Sequence, residues 1–322
     1  MNKKFYIGID IGATNTKFGL VDGKGRIKSK KVIRTSCYNG AAQFVSIAKD
    51  IVYLFIKEKK LKKNQLCGIG IGAPGAIDSN KGIVHYLTNL KGWKGIHLRK
   101  MIESKLGIRA YLDNDANVMA IGEFSFGAGR GSKNMIGVTL GSGVGGGLVL
   151  DGRVYRGTNM AGGEIGHVPV NVEGPKCACG GSGCLEAYVG SPYIVKKTLK
   201  LIKGKKTAIM KLIKGKTSRL TPKIIYKAAL KGDPIAKRIL RETGIYLGVG
   251  LTGIINLLNP DAVVIGGGVA NAGRFIFDAV KETVKKRAMH LPAKTVKILK
   301  AELGEDAGVV GAMALVKERQ GK

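Results

Sequence analysis

Four side chains able to ligate a soft metal fall between residues 167 and 184, spaced His167-x9-Cys177-x-Cys179-x4-Cys184. Three thiolates and one imidazole form a closed tetrahedral set of the kind zinc takes, with no open position for a water nucleophile. The spacing therefore predicts a structural zinc, although a reactive dithiol or a chance cluster would also account for it. Gly180, Gly181 and Gly183 give the loop freedom to fold around an ion. Glu164, three residues before His167, and Glu186, two after Cys184, bracket the cluster and would be positioned by it. The two remaining cysteines, Cys37 and Cys67, read as packing residues, and five in all are too few for a disulfide scaffold.

Three further segments carry chemistry. Asp10-Ile-Gly-Ala-Thr-Asn-Thr-Lys17 is a Gly turn that could present backbone N–H groups and the hydroxyls of Thr14 and Thr16 to an anion, with Asp10 holding Mg²⁺ through water. It lacks the Gly-Lys-Ser/Thr ending of a Walker loop. Leu140-Gly-Ser-Gly-Val-Gly-Gly-Gly147 would let a backbone approach phosphate oxygens closely. Gly turns with Thr are also common in hairpins that bind nothing, which would account for the first segment, and a sharply bent hairpin without a ligand accounts equally for the second. Leu112-Asp-Asn-Asp-Ala-Asn117 places carboxylates and amides at the C-terminal mouth of a strand, where α/β sheets bind ligands. One aspartate there could act as base toward a substrate hydroxyl, or the segment could serve only as Asx turns and a cap for a helix from Val118.

These segments need elements to hold them. Phe5 to Gly23 alternates apolar and small or polar residues around a turn, the mark of two strands. Met135 to Gly152 repeats it: Ile7-Gly8 matches Ile136-Gly137, Gly12 matches Gly141, and Gly19-Leu20-Val21 matches Gly147-Leu148-Val149. A duplicated α/β lobe is expected. Ala41 to Lys60 carries an amphipathic stripe, and Ile245 to Leu258 reads as a helix stopped by Asn259-Pro260-Asp261. Leu66–Gly75 and Ala262–Gly268 read as buried strands running into Gly turns. Alternating strands and helices argue an α/β fold with mixed sheets in two lobes.

Length and charge set outer bounds. A chain of 322 residues with 44% apolar content suffices for two or three cored domains, and no apolar run reaches the ~20 residues of a membrane span. With no signal-peptide pattern at its start, it reads as soluble and cytoplasmic. The net charge of +32 would raise polyanions as partners, but 41 Lys against 13 Arg favours a solubilising surface over nucleic-acid recognition. The excess is concentrated: Lys196 to Arg241 holds sixteen basic residues and one acid, Asp233, on helices expected to break near Gly204, Gly215 and Gly232.

Taken together, the motifs resemble the ROK family of sugar kinases, within the actin-like ATPase superfamily. The likeness rests on Asp10–Lys17, Gly72-Ala-Pro-Gly75, Asn89-Leu with Trp93, Asn114-Asp-Ala-Asn117 and Gly141–Gly147. It continues through Glu164-Ile-Gly-His167, Cys177-Ala-Cys-Gly-Gly-Ser-Gly-Cys-Leu-Glu186 and Gly266-Gly-Gly268, and is most similar to the family's bacterial ATP-dependent glucokinases.

The resemblance implies a two-lobed actin-like ATPase (ribonuclease H-like) fold, with a small lobe of residues 1–113 plus about 303–322 and a large lobe of 114–302. It implies Asp115 as general base for phosphoryl transfer to a sugar 6-hydroxyl, with Asn89, Asn114, Glu164, His167 and Glu186 on the other hydroxyls. ATP would meet Asp10, Gly12, Thr14, Asn15, Thr16, Lys17, Gly141, Ser142 and Gly143, with adenine near Gly267 and Gly268. It further implies Mg²⁺ at Asp10, structural Zn²⁺ at His167, Cys177, Cys179 and Cys184, and a homodimer or homotetramer. Fructose, mannose, allose or an N-acetylated amino sugar could replace glucose, and polyphosphate could replace ATP. The family's DNA-binding repressors carry a domain ahead of the first phosphate motif. Only nine residues precede Asp10, so no specific nucleic acid is expected as partner.

Overall fold

A computed structural model describes residues 4–87, 90 and 92–321. They form two compact units. The first runs to Ser132, resumes over Gly147–Gly163 and ends with the segment from Ala301; the second comprises Lys133–Gly146 and Glu164–Lys300.

Strands β1 (Phe5–Ile11) and β2 (Asn15–Asp22) form the expected hairpin, antiparallel from Phe5 opposite Asp22 to Ile11 opposite Thr16. They are followed by β3 (Ile27–Arg34), helix α1 (Ala41–Glu58), β4 (Leu66–Ala73) and the small hairpin of β5 (Gly75–Asp78) and β6 (Ile83–Leu87). Helix α2 (Leu98–Leu106) stops at the left-handed Gly107, and β7 (Ala110–Asn114) runs into α3 (Asp115–Phe126). The sheet order is β3-β2-β1-β4-β7, with β4 parallel to both β1 and β7.

The repeat appears again as β8 (Met135–Leu140) and β9 (Val144–Leu150), and β10 (Arg153–Tyr155) pairs antiparallel with the end of β9. Then come α4 (Glu186–Val189), α5 (Ser191–Ile202), α6 (Ala208–Ile213), α7 (Pro222–Leu230) and α8 (Pro234–Leu258). Strand β11 (Ala262–Gly266), helices α9 (Arg274–Arg287) and α10 (His290–Thr295), strand β12 (Lys297–Lys300) and helix α11 (Ala307–Gln320) complete the chain. In the second unit β11 lies parallel between β8 and β12.

Period-two patterning decides how the first sheet is covered. Ile7 and Ile9 in β1, with Ile69 and Ile71 in β4, are fully buried in one core with Phe44, Ala48, Val52 and Phe55 of α1. Each large aliphatic side chain so buried contributes roughly 1.5–3 kcal/mol. Between them, Gly8 and Gly70 face the other way, where a Cβ would run into the backbone of Val309 and Ala312 on α11. The last helix can therefore lie directly on the sheet. It also meets α3 backbone to backbone, since a Cβ on Gly311 would run into the carbonyl of Val118.

Two expectations shift. The lobe border expected after residue 113 does not coincide with this division, because α3 packs with α11 inside the first unit and Gly147–Gly163 also belongs there. The helix expected over Ile245–Leu258 is the second half of α8, which starts at Pro234 with Asp233 as cap. The breaks at Gly204, Gly215 and Gly232 stand as read, each with positive φ. Asp233, the one acid of the basic stretch, is buried: its two oxygens accept the N–H groups of Ala236 (2.9 Å) and Ala208 (2.8 Å), joining the starts of two helices. Among the described residues no helix is long and apolar enough to cross a membrane.

Candidate functional site

In the first unit, Asp10 is the penultimate residue of β1, beside the first turn of α11, where a Cβ on Gly308 would press on its carboxyl group. Burial raises its pKa, and the charges of Lys17 and Lys30 oppose that rise. The turn after it is closed by Gly12 N–H donating to the Asn15 carbonyl (3.0 Å) and braced by Thr35 N–H on the Thr14 carbonyl (2.9 Å). Ala13, Thr14 and Asn15 face solvent, as an anion-accepting turn requires. Lys17 donates to the Glu305 carbonyl (2.8 Å).

Thr16 departs from the expectation that its hydroxyl faces an anion. It is fully buried, its Oγ1 within hydrogen-bond distance of Tyr38 Oη (2.7 Å) and Thr35 Oγ1 (3.1 Å), and Thr35 in turn donates to the Gly12 carbonyl (2.7 Å). The alternation of β2 puts Thr16 on the inner face, so it shapes the turn from beneath. Trp93 is likewise a core residue, packed edge-on against Phe44 with ring centroids 5.5 Å apart.

The Asp-Asn-Asp segment sits at the mouth of β7, with Asn114 opposite Ala73 of β4. Asn114 caps α3: its Oδ1 accepts the Ala116 N–H (2.9 Å), and its Nδ2 donates to the Gly75 carbonyl (3.2 Å). The helix therefore starts three residues before the Val118 start expected. Asp115, half-buried on the first residue of α3, has Oδ1 2.9 Å from the Ala116 nitrogen. Partial positive charge at a helix N-terminus favours a carboxylate there. Asn89 lies outside the described residues.

In the second unit the other Gly-rich turn joins β8 to β9, with Gly141 N–H donating to the Gly143 carbonyl (2.9 Å). Ser191 clamps its start, donating from both N (2.9 Å) and Oγ (2.6 Å) to the Gly141 carbonyl. Ser142 is exposed. Gly267 and Gly268 are exposed just past β11, and a Cβ on Gly267 would run into the Leu140 backbone. Gly141, Ser142, Gly143, Gly267 and Gly268 thus meet at the C-terminal ends of two neighbouring parallel strands, the usual place for a ligand in such sheets.

His167, Cys177, Cys179 and Cys184 come together with one ligand atom each, all within 4.8 Å of one another. Cys179 and Cys184 sulfurs are 3.6 Å apart, and His167 Nδ1 is 3.8 Å from the Cys177 sulfur. Tetrahedral bonds of about 2.3 Å to one ion imply sulfur edges of about 3.8 Å, so the set fits a single metal ion. The loop is shaped for it by Cys177 N–H on the Gly181 carbonyl (2.9 Å) and Gly180 N–H on the Cys177 carbonyl (3.1 Å). Burial and the facing thiols push Cys184 up to about 12, whereas the Gly181 N–H holds Cys179 down. Thiols so crowded ionise together only around a cation. The other imidazole nitrogen, Nε2, faces the exposed Glu164 carboxylate at 3.9 Å, leaving that edge of His167 for polar contacts.

Glu186 joins the cysteine loop to the Gly-rich turn. Its Oε2 accepts the Val144 N–H (2.9 Å), its Oε1 is 3.9 Å from the Cys177 sulfur, and a Cβ on Gly143 would lie 2.5 Å from Oε2. The motifs did not reveal this link, nor a buried ion cluster in the first unit. There Arg156 Nε donates to Asp113 Oδ2 (2.6 Å) and Nη2 to Glu318 Oε2 (2.9 Å). One sequence signal could have flagged it: in a chain with 41 Lys and 13 Arg, an Arg marks a place where a planar fork serves better than a point charge.

Comparison with known proteins agrees with the motifs. The family model described as "ROK family" matches residues 6–319. The chain is 35% identical to a glucokinase of Halalkalibacterium halodurans, over 99% of this chain and 97% of that one. It is 30% identical to the xylose repressor of Bacillus subtilis, over 98% of this chain and 78% of that one. A crystal structure of a ROK family glucokinase from Streptomyces griseus, in complex with glucose and AMPPNP, superposes with a TM-score of 0.82 at 31% identity, covering 98% of this chain and 99% of that one. With the two Gly-rich turns, the Asp-Asn-Asp segment and the His-Cys cluster all in place, the chain belongs to the ROK family.

Proposed function

We propose that this chain transfers the γ-phosphoryl group of ATP to the 6-hydroxyl of a hexose, with glucose the preferred acceptor. The observation that carries the reading is Asp115, a half-buried carboxylate at the mouth of β7 on the first residue of α3, in a chain similar over nearly its whole length to glucokinases. In the reaction the sugar oxygen bonds to the γ-phosphorus, the bond to the bridging oxygen of ADP breaks, and the hydroxyl proton passes to Asp115. Such transfer depends mainly on positioning and charge stabilisation, so one modest base suffices.

Asn114, Glu164, His167 and Glu186, with Asn89 carried over from the resemblance, are assigned to the sugar hydroxyls. The N–H groups around Gly12–Asn15 and Gly141–Gly143 are assigned to the phosphates, with Lys17 as a nearby cation. Gly267 and Gly268 are assigned to adenine, with the open space beside Gly268 leaving room for a flat ring. Mg²⁺ held through water near Asp10 would neutralise phosphate charge. Zinc suits the His-Cys₃ set; with four protein ligands it organises the loop bearing Glu186 and leaves His167 Nε2 for the sugar. A dimer or tetramer is the expected assembly, read by sedimentation.

Initial rates with ATP and with polyphosphate, each against glucose, fructose, mannose, allose and N-acetylated amino sugars, test the reading. Rapid ATP-dependent formation of glucose 6-phosphate is expected. If no hexose is phosphorylated by folded, zinc-loaded protein, the proposal fails. A sequence-selective DNA complex that survives physiological salt would instead favour a sugar-responsive repressor, the activity named for the Bacillus subtilis relative.

A further inference from the structure

Asp113, one residue before the amide and carboxylate assigned to the sugar, is 2% exposed and cannot reach a ligand. Its carboxylate is nevertheless fully employed. Oδ1 accepts the Asn114 N–H (2.9 Å) and the Asn117 Nδ2 (3.0 Å), and Oδ2 accepts Arg156 Nε (2.6 Å). One side chain therefore ties the end of β7 to the first turn of α3, spanning Asp115 from both sides.

Arg156 is itself held. Its guanidinium, 8% exposed, forms a fork with Glu318 (2.9 and 3.3 Å) on α11 and reaches the Val154 carbonyl (3.3 Å). A fork of this shape fixes orientation as well as distance, which an ammonium would not. Desolvating two carboxylates and a guanidinium is a poor way to gain stability, since well-packed apolar side chains do as well or better. What the cluster does provide is a single geometry at the strand end.

We propose that Arg156 is a positioning residue for phosphoryl transfer: locked between Asp113 and Glu318, it holds the β7–α3 junction so that Asp115 stays aligned with the acceptor hydroxyl. This rests on the kinase reading above. Sugar affinity is spread over several hydroxyl contacts, whereas transfer depends on the placement of one carboxylate. Loosening the junction should therefore cost turnover more than binding.

The test compares Arg156→Lys with the wild-type chain. Expected is a kcat lower by about tenfold to a hundredfold, the scale of a misplaced reacting group, with sugar affinity measured by calorimetry changed by less than about threefold. Hydrogen exchange at the Asn114, Ala116 and Asn117 amides should quicken while α1 keeps its protection. Should Arg156→Lys fail to fold, Glu318→Gln removes the outer anchor and is read the same way. Unchanged kcat, or faster exchange spread evenly over the unit, overturns the proposal. The exchange measurement needs no turnover, so a wild-type chain that phosphorylates no sugar would defeat the kinase reading while the junction is still decided.

Discussion

Glu186 and Val144 are joined by a 2.9 Å hydrogen bond from the backbone N–H of the Gly-rich turn to the carboxylate that follows the last of the three clustered cysteines. A group assigned to the sugar thus also shapes a turn assigned to phosphate. Gly143→Ala would put a methyl group against Glu186 Oε2 and force the carboxylate or the turn to move. The KM values for both ATP and sugar should rise, by about tenfold for ATP, a loss of ~1.4 kcal/mol. A rise confined to ATP would show that Glu186 does not couple the two.

Metal removal should act along the same link. Chelation, or Cys179→Ser, should lower the melting temperature and raise the sugar KM together, because binding energy in a closed site is folding energy for its loop. Thermal melts and kinetics on protein of measured zinc content check this. Unchanged melting and full activity without zinc would refute a structural role.

Asp115→Asn should leave the fold intact, since Asn114 still caps α3 through the Ala116 N–H. Turnover should fall by about 10²–10⁴-fold, the usual contribution of a general base, while sugar affinity stays within about threefold. Calorimetry beside steady-state rates separates the two effects. Retention of more than a small fraction of turnover would remove Asp115 from the base role.

Asp10 supplies a pH signature. Burial raises its folded pKa above the 3.8 of a free side chain, so the stability it contributes is complete below 3.8 and is lost as pH rises through the raised value. Asp10→Asn escapes that loss. The variant should melt higher than wild type near neutral pH, with the gap closing toward about pH 4, while ATP turnover collapses for want of the carboxylate. Melting curves across that range decide it; a gap independent of pH would mean that the charge is not the cause.

Legibility followed distance along the chain. The hairpin over Phe5–Gly23 and its repeat over Met135–Gly152 were readable because strand alternation is a local pattern, and both strand pairs formed as expected. The helix starting at Ala41 was readable from its stripe. By contrast, a Thr that looks available in Asp10–Lys17 turned out to be inside, because which face of β2 is buried depends on Tyr38 and Thr35, further along the chain.

The +32 charge changed meaning in the same way. Composition alone could not say that Asp233 is spent on two helix starts, or that Arg156, unlike most of the lysines, is buried in a fork. By itself the sequence determined the duplicated hairpin, the grouping of one His with three Cys and the carboxylate at a strand mouth, since each is written in spacings of a few residues. Tertiary structure alone decided what holds them: Arg156 meets a partner 43 residues away in Asp113 and another 162 away in Glu318, and Val144 meets Glu186 across 42. Such pairs leave no local period to read, because packing and the burial of charge select them only once the chain has folded.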